Sequence, residues 1–569
     1  MNQTPNAGPH PERIRARIHE GALHRVTRMY TAGLADVFTE ALQNSRRAGA
    51  TRVRVTTHEV SGAQAVAITD DGAGITDPAV LLSFGENGWS EETVRREDAA
   101  GMGFLSLARR GCTIASRTRS VAGWRVDLTP AHFLGEEEAS ILPDEDAPRP
   151  HGTAVRFRAE EAREVIRRAL ENAVRHYPLP VALDGETLPR RDFLGNAVHT
   201  EAWRGLAFGV LNSGSRYRDE PDLNFHGLIL PVHLPTVHPV DGPAWSVRAD
   251  VEDCPDLELV LPARKEAVET SFLEEMREAA RTAIYRAMAK AYTAPVLAFG
   301  EWTRARAAGV ELPEPAPALR PWRPPVADID NWLAGPSPEP LPGDALLMDA
   351  DLEPPEAQAL WRAAERGGTA PRLFEADRRF QGYAWYDALP RVADVRTDVA
   401  LGGEARPLAD FQAPPDRSGP SNEPLPRPEA ICMRLDVENP DGTSETIALD
   451  ADLAFAGEAW AWLADVRPLV TAGSGIEAAE LADLLRDAWF SPSDEAGADS
   501  WETQRARFEE EALHLAIGLL CSEEEALRRT IACAVRRELF WLIPRDRAVT
   551  ITVRGGKIGV DFAEGEDVR

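Results

Sequence analysis

The chain has 569 residues, too many for one ordinary core, so three or four domains are expected. Its hydrophobic content of 43% is that of a globular protein. Its formal net charge of −29 makes the molecule as a whole a poor nucleic-acid binder, while leaving room for a local basic patch or a nucleic-acid-binding partner.

The basic residues are almost all arginine. Lys265, Lys290 and Lys557 are the only lysines, so a functional lysine has few candidates. Five cysteines, at 112, 254, 432, 521 and 533, form no C-x-x-C pair, which points to a reducing compartment and no structural zinc. No apolar signal stretch opens the chain and no run reaches membrane-spanning length. The expected location is cytoplasmic, with no membrane partner.

In chain order, Glu12 to Arg47 carries a helical pattern, with Leu34, Val37, Phe38, Ala41 and Leu42 on one stripe and Gly49 as a cap. "TRVRVTT" and "QAVAITD" alternate as strands do. "DPAVLLSFG" reads as a short helix, "ENGWSEETVRRED" as irregular and "AAGMGFLSLARR" as helix again. "CTIASRT", "WRVDLTP" and "GTAVRFR" read as further strands. Residues 1–165 therefore predict an α+β layer of helices over a sheet. Residues 166–300, with "EAREVIRRALENAVRHY" and "SFLEEMREAARTAIYRAMAKAY", predict a second, α/β-type domain. Residues 301–345 are proline-dense and read as a linker. A small region, 346–425, ends in another Pro/Ser/Gly-rich stretch, and 426–569 predicts an α+β C-terminal domain for assembly or partner recognition. No internal repeat is evident.

Four short stretches carry the chemistry. In "EALQNSRRAGAT", Glu40 and Asn44 lie four apart and share a helix face. An amide oxygen can ligate Mg²⁺, and a neighbouring carboxylate can orient and deprotonate water. Alone, that spacing recurs by chance. In "AITDDGAGI", a strand ends at Asp70, a possible acceptor for an exocyclic amine. Gly72 and Gly74 follow and permit close approach by a flat ring or a phosphate; alone, this is an ordinary Asp-Gly turn. In "AAGMGFLSLA", Gly101 and Gly103 precede an apolar helix whose amides can cradle an anion. In "HGTAV", Gly152 and Thr153 open a strand.

Taken together and in this order, the four stretches resemble the GHKL ATPase superfamily, which contains gyrase B, Hsp90, the histidine kinases and the MutL repair proteins. The resemblance covers residues 25–160. It implies a Bergerat-fold ATP-binding domain over 1–165, a transducer-like middle domain over 166–300, and ATP with Mg²⁺ as ligands. It assigns water activation to Glu40, Mg²⁺ to Asn44 and the adenine amino group to Asp70. Gly72 and Gly74 would line the base and ribose side, residues 81–100 would form a lid, and Thr153 would back Asp70 and a water. The backbone around Gly101, Met102, Gly103 and Phe104 would hold the phosphates.

The match departs from the family at two positions. Asp71 stands where an asparagine is common, and Asp98 stands where the glycine-rich motif usually opens with another glycine. Arg47 is also unusual, open to a phosphate or to a surface acid. Glu40 argues against the kinase branch, and no helical hairpin with a phosphoacceptor histidine is evident. By the same resemblance, Lys265 or Arg264 in "LVLPARKEAV" would reach the γ-phosphate from the middle domain, and a homodimer would form through the N-terminal segment. The acidic total favours a conformational ATPase acting on a protein client or partner. The alternatives are a DNA-directed clamp and a nucleotide-gated scaffold. No metal-dependent endonuclease motif or DNA-cleavage tyrosine context is recognisable.

Overall fold

The computed structural model describes residues 33–83, 106–212, 221–260, 266–328, 335–367, 372–411, 427–458, 462–493, 495, 498–542 and 547–564. The chain is a mixed α+β protein of two compact units, 1–314 and 315–569, and the boundary falls within the proline-dense 301–345 stretch.

In the first unit, helix α1 (Leu34–Arg47) buries Leu34, Val37, Phe38 and Leu42, the stripe its periodicity predicts. Asp36 accepts from the Gly33 amide at its start, and Gly49, at φ +67, ends it. Strand β1 (Val53–Val60) turns through Ser61 and Gly62, both at positive φ, into the antiparallel β2 (Ala63–Asp70). Val53 and Val55 face inward while Arg54 and Thr56 face out, as their alternation requires.

An eight-stranded sheet grows from this hairpin with β3 (Cys112–Arg117), β4 (Trp124–Leu128), β5 (Ile141–Pro143), β6 (Gly152–Ala159), β7 (Val181–Leu183) and β8 (Glu186–Thr187). Its order is β5-β4-β3-β6-β2-β1-β7-β8, and β7 runs parallel to β1. A short helix α2 (Pro130–Leu134) buries Phe133, and α3 (Arg163–Val174) lies beside α1 with Ile166, Leu170 and Val174 inward. The core under these helices also takes in Tyr177 and Leu188. Each such apolar side chain contributes about 1.5–3 kcal/mol by leaving water.

A second sheet follows, with β9 (His199–Trp203), β10 (Leu206–Asn212), β11 (Leu223–Phe225), β12 (Leu228–Leu230), β13 (Thr236–Val237) and β14 (Trp245–Val251). Its order is β12-β11-β14-β10-β9, and β13 pairs with β14. Helix α4 (Ser271–Ala289) fills its own core against this sheet through Leu273, Met276, Ala280, Ile284 and Tyr285; α5 (Phe299–Ala307) adds Ala305.

The second unit opens with the short pair β15 (Ala318–Leu319) and β16 (Glu339–Pro340). A parallel β17 (Leu346–Met348), α6 (Pro354–Gly367), β18 (Leu373–Glu375) follows. After a short helix α7 (Ala384–Asp387), β19 (Arg391–Leu401) pairs with β17 on its other side, also parallel. Within this unit, Asp452 is buried and accepts two 2.9 Å hydrogen bonds from the Arg362 guanidinium. The buried pair is thus matched in charge and in hydrogen bonds.

Among the described residues no helix is long and apolar enough to cross a membrane. Cys112, Cys254, Cys432 and Cys521 carry free thiols.

Candidate functional site

Glu40 and Asn44 sit one turn apart on α1, both partly buried. The Glu40 Oε2 atom is enclosed and has no hydrogen-bond partner among the described residues. An enclosed carboxylate oxygen without a donor costs stability and is uncommon in a settled core. Asn44 Oδ1 accepts a hydrogen bond from Arg47 Nη1 at 3.1 Å. Arg47 thus engages the amide that the sequence marks as a metal ligand.

Strand β2 delivers Asp70 to the end of the sheet beside α1. Its Oδ1 accepts from the Gly72 amide at 2.9 Å and lies 3.4 Å from the Thr153 amide; its Oδ2 lies 3.3 Å from the Ser45 hydroxyl. Ser45 has one proton and also approaches the Ala41 carbonyl at 2.9 Å, so that proton is shared between two acceptors. Burial raises the Asp70 carboxyl above its ordinary pKa, and the donors from Gly72, Thr153 and Ser45 counter part of that rise. Asp70 is therefore a desolvated acceptor held in one orientation.

Asp71 faces another way. It accepts from the Thr51 amide at 2.8 Å, the Thr51 hydroxyl at 2.7 Å and the Arg52 amide at 3.1 Å. Burial pushes its carboxyl up, but these bonds outweigh that and hold it below its usual range. Asp71 thus fastens the loop between α1 and β1.

The glycines permit close approach. A Cβ on Gly72 would lie 2.7 Å from the Ala48 Cβ, where the Ala73 amide donates to the Ala48 carbonyl at 2.8 Å. Gly74 takes φ +79 beside the Arg117 carbonyl. Thr153, on β6, is buried, with its hydroxyl 3.3 Å from that of Ser116. Ser116 Oγ in turn accepts from the Ile75 amide at 2.8 Å, and His151 Nδ1 lies 2.7 Å from the Gly72 carbonyl oxygen.

Asp70, Gly72 and Thr153 therefore meet one another and the end of α1 at Ser45 and Ala48, the helix that carries Glu40 and Asn44, and Gly74 lies beside the end of β3. Gly101, Met102, Gly103, Phe104, Arg264 and Lys265 lie outside the described residues, as do the N-terminal segment to residue 32 and residues 84–100. Of the stretch read as helix around "FLSLARR", Ser106 and Leu107 are 3₁₀-helical and residues 108–110 form a turn, closed by the Gly111 amide on the Leu107 carbonyl.

Sequence reading did not single out Ser45, Ser116, His151 or Gln43. His151 adjoins the "GTAV" motif and was within reach. Ser116 and Gln43 carry no local signal, because their partners are distant in sequence. Gln43 is buried and donates through Nε2 to the His226 carbonyl at 2.9 Å, linking α1 to the turn between β11 and β12. Tyr177 donates to the Leu42 carbonyl at 2.6 Å. Both bonds hold the helix that carries Glu40 and Asn44.

Among the described residues no group of three or more His, Cys, Asp or Glu is arranged to hold a metal. Mg²⁺ takes few protein ligands when phosphates and water complete its shell, so Asn44 fits as a single donor. No protein-family model and no curated protein matches the chain.

Proposed function

We propose that the first unit binds Mg-ATP at the Asp70 cluster and hydrolyses it slowly, with turnover driving conformational closure on a protein client or partner. The observation that carries this reading is the pairing of two unlike carboxylates. Asp70 is desolvated and fixed by surrounding donors, while Glu40 keeps an enclosed oxygen with no hydrogen-bond partner on the adjacent helix. The fixed group suits recognition of an adenine amino group; the unsatisfied one suits orienting a water and taking its proton.

Asn44 would hold Mg²⁺ through its amide oxygen, which now accepts from Arg47, and the bound ion would supply charge neutralisation at the phosphate oxygens. The backbone of Gly101, Met102, Gly103 and Phe104 holds the phosphates, and Arg264 or Lys265 meets the γ-phosphate. These roles, and a homodimer through the N-terminal segment, follow from the resemblance to the GHKL superfamily.

Steady-state phosphate release with Mg-ATP tests the reading. Wild type turns over slowly, and Glu40→Ala loses at least tenfold of that rate while still binding ATP. Equal rates in the two proteins overturn the hydrolytic claim. The Arg47–Asn44 bond favours one further reading, a nucleotide-gated scaffold in which ATP displaces Arg47 and hydrolysis is incidental. That reading predicts ATP binding with equal background phosphate release in wild type and Glu40→Ala. A DNA-directed clamp predicts stimulation by DNA that added salt suppresses.

A further inference from the structure

The second unit contains a cleft that the nucleotide reading does not use. The chain leaves β17 through α6 to β18 on one side, then returns to pair β19 on the other side of β17. Open α/β sheets leave a crevice at the carboxyl ends of parallel strands where the chain reverses direction in this way. A cavity of about 500 Å³ lies beside the carboxyl ends of β17 and β18 and the amino end of β19, lined by Asp349, Arg378, Gln381, Tyr386, Asp387 and Arg391. Asp349 directly follows β17, Arg378 and Gln381 come from the turn after β18, and Arg391 opens β19. Its volume suits a metabolite up to mononucleotide size.

Tyr386 is fully buried, and its hydroxyl oxygen faces the Arg391 side chain and the Asp377 amide, both donors, while no acceptor for its own proton is found among the described residues. An enclosed hydroxyl proton without an acceptor costs stability, which phenylalanine at the same place would avoid. Arg378 is exposed and makes no ion pair or side-chain hydrogen bond among the described residues. The Arg391 guanidinium lies 4.9 Å from the Tyr386 ring centre, and its ion pair to Asp349 is long, at 3.7 Å. The cleft therefore offers cationic and hydroxyl donors that lack strong acceptors. Asp387 uses Oδ1 on the Gly382 amide at 3.2 Å, which leaves Oδ2 open. The two arginines and two aspartates cancel in charge, so the lining does not suit a polyanion.

We propose that this cleft binds a small organic anion, its carboxylate or phosphate meeting Arg378, Arg391 and the Tyr386 hydroxyl, and a hydroxyl or amino group of the same molecule meeting Asp387. Guanidinium groups pair with either oxyanion in a forked geometry.

Isothermal titration of the full chain with ribose 5-phosphate and, separately, with malate tests the proposal and tells the two oxyanions apart. One of them binds saturably, one per chain. Arg378→Gln weakens that binding at least tenfold. Tyr386→Phe weakens it about tenfold while the melting temperature of the free protein changes little, because the lost proton had no acceptor among the described residues. Asp70→Asn leaves the binding intact, which separates this cleft from the nucleotide reading. Failure of both compounds to bind, or binding that Arg378→Gln and Tyr386→Phe both retain, overturns the proposal.

Discussion

At Gly74 the backbone combines positive φ with a close neighbour: an added Cβ would lie 2.2 Å from the Arg117 carbonyl oxygen. That neighbour is main chain in β3 and cannot swing aside. Gly74→Ala should therefore destabilise the first unit by about 2 kcal/mol or more, read as an earlier urea transition. A midpoint unchanged within error would mean that the loop does not need this conformation. The Asp-Gly-x-Gly pattern marked this loop in the sequence, since its glycines signal close approach whatever the fold. The division of labour between Asp70 and Asp71 was not legible. Two adjacent acids read alike until the fold turns one toward Thr153 and the other toward Thr51. Nor was the Arg47–Asn44 bond, because a residue three places on can face its neighbour or solvent with equal ease.

Helix α1 joins site to scaffold. Its apolar stripe and its glycine stop are properties of consecutive residues, so the sequence displayed them. Its tie through Gln43 to the turn bearing His226 joins residues 183 positions apart and has no local trace. That turn has a measurable consequence. Burial, reinforced by the charges of Arg46 and Arg47, drives the His226 pKa down to about 3, so the imidazole is neutral in the fold. The unfolded chain takes up a proton below about pH 6.5 that the folded chain refuses. The stability from this group is complete above that pH and is lost progressively as pH falls toward 3, amounting to about 2 kcal/mol by pH 5. NMR of the histidine rings should find His226 unprotonated from pH 8 to 5, assigned by its absence in His226→Gln. A midpoint near 6.5 would contradict the burial of His226 beside Arg46 and Arg47 of α1.

Over the whole molecule, the boundary between the two units, after Glu314, falls inside the proline-dense stretch, where proline interrupts both helix and sheet. The α+β character of the first unit was legible through its periodicities. Its sheet order was not, because β6 inserts between β3 and β2 from far along the chain, and β7 joins β1 in parallel after a helix. That insertion brings Thr153 to Asp70 and assembles the candidate site. The strand–helix–strand unit of the second half was hidden by the brevity of β17 and β18.

The central claim, that this assembly holds ATP through Asp70, is tested most directly by equilibrium titration of Mg-ATP into wild type and Asp70→Asn. The substitution keeps the size of the side chain but places an amide where an acceptor is needed. The account predicts one ATP per wild-type chain and at least tenfold weaker binding in Asp70→Asn, with the fold intact by circular dichroism. Equal affinity in the two proteins, or no binding to wild type, would contradict it.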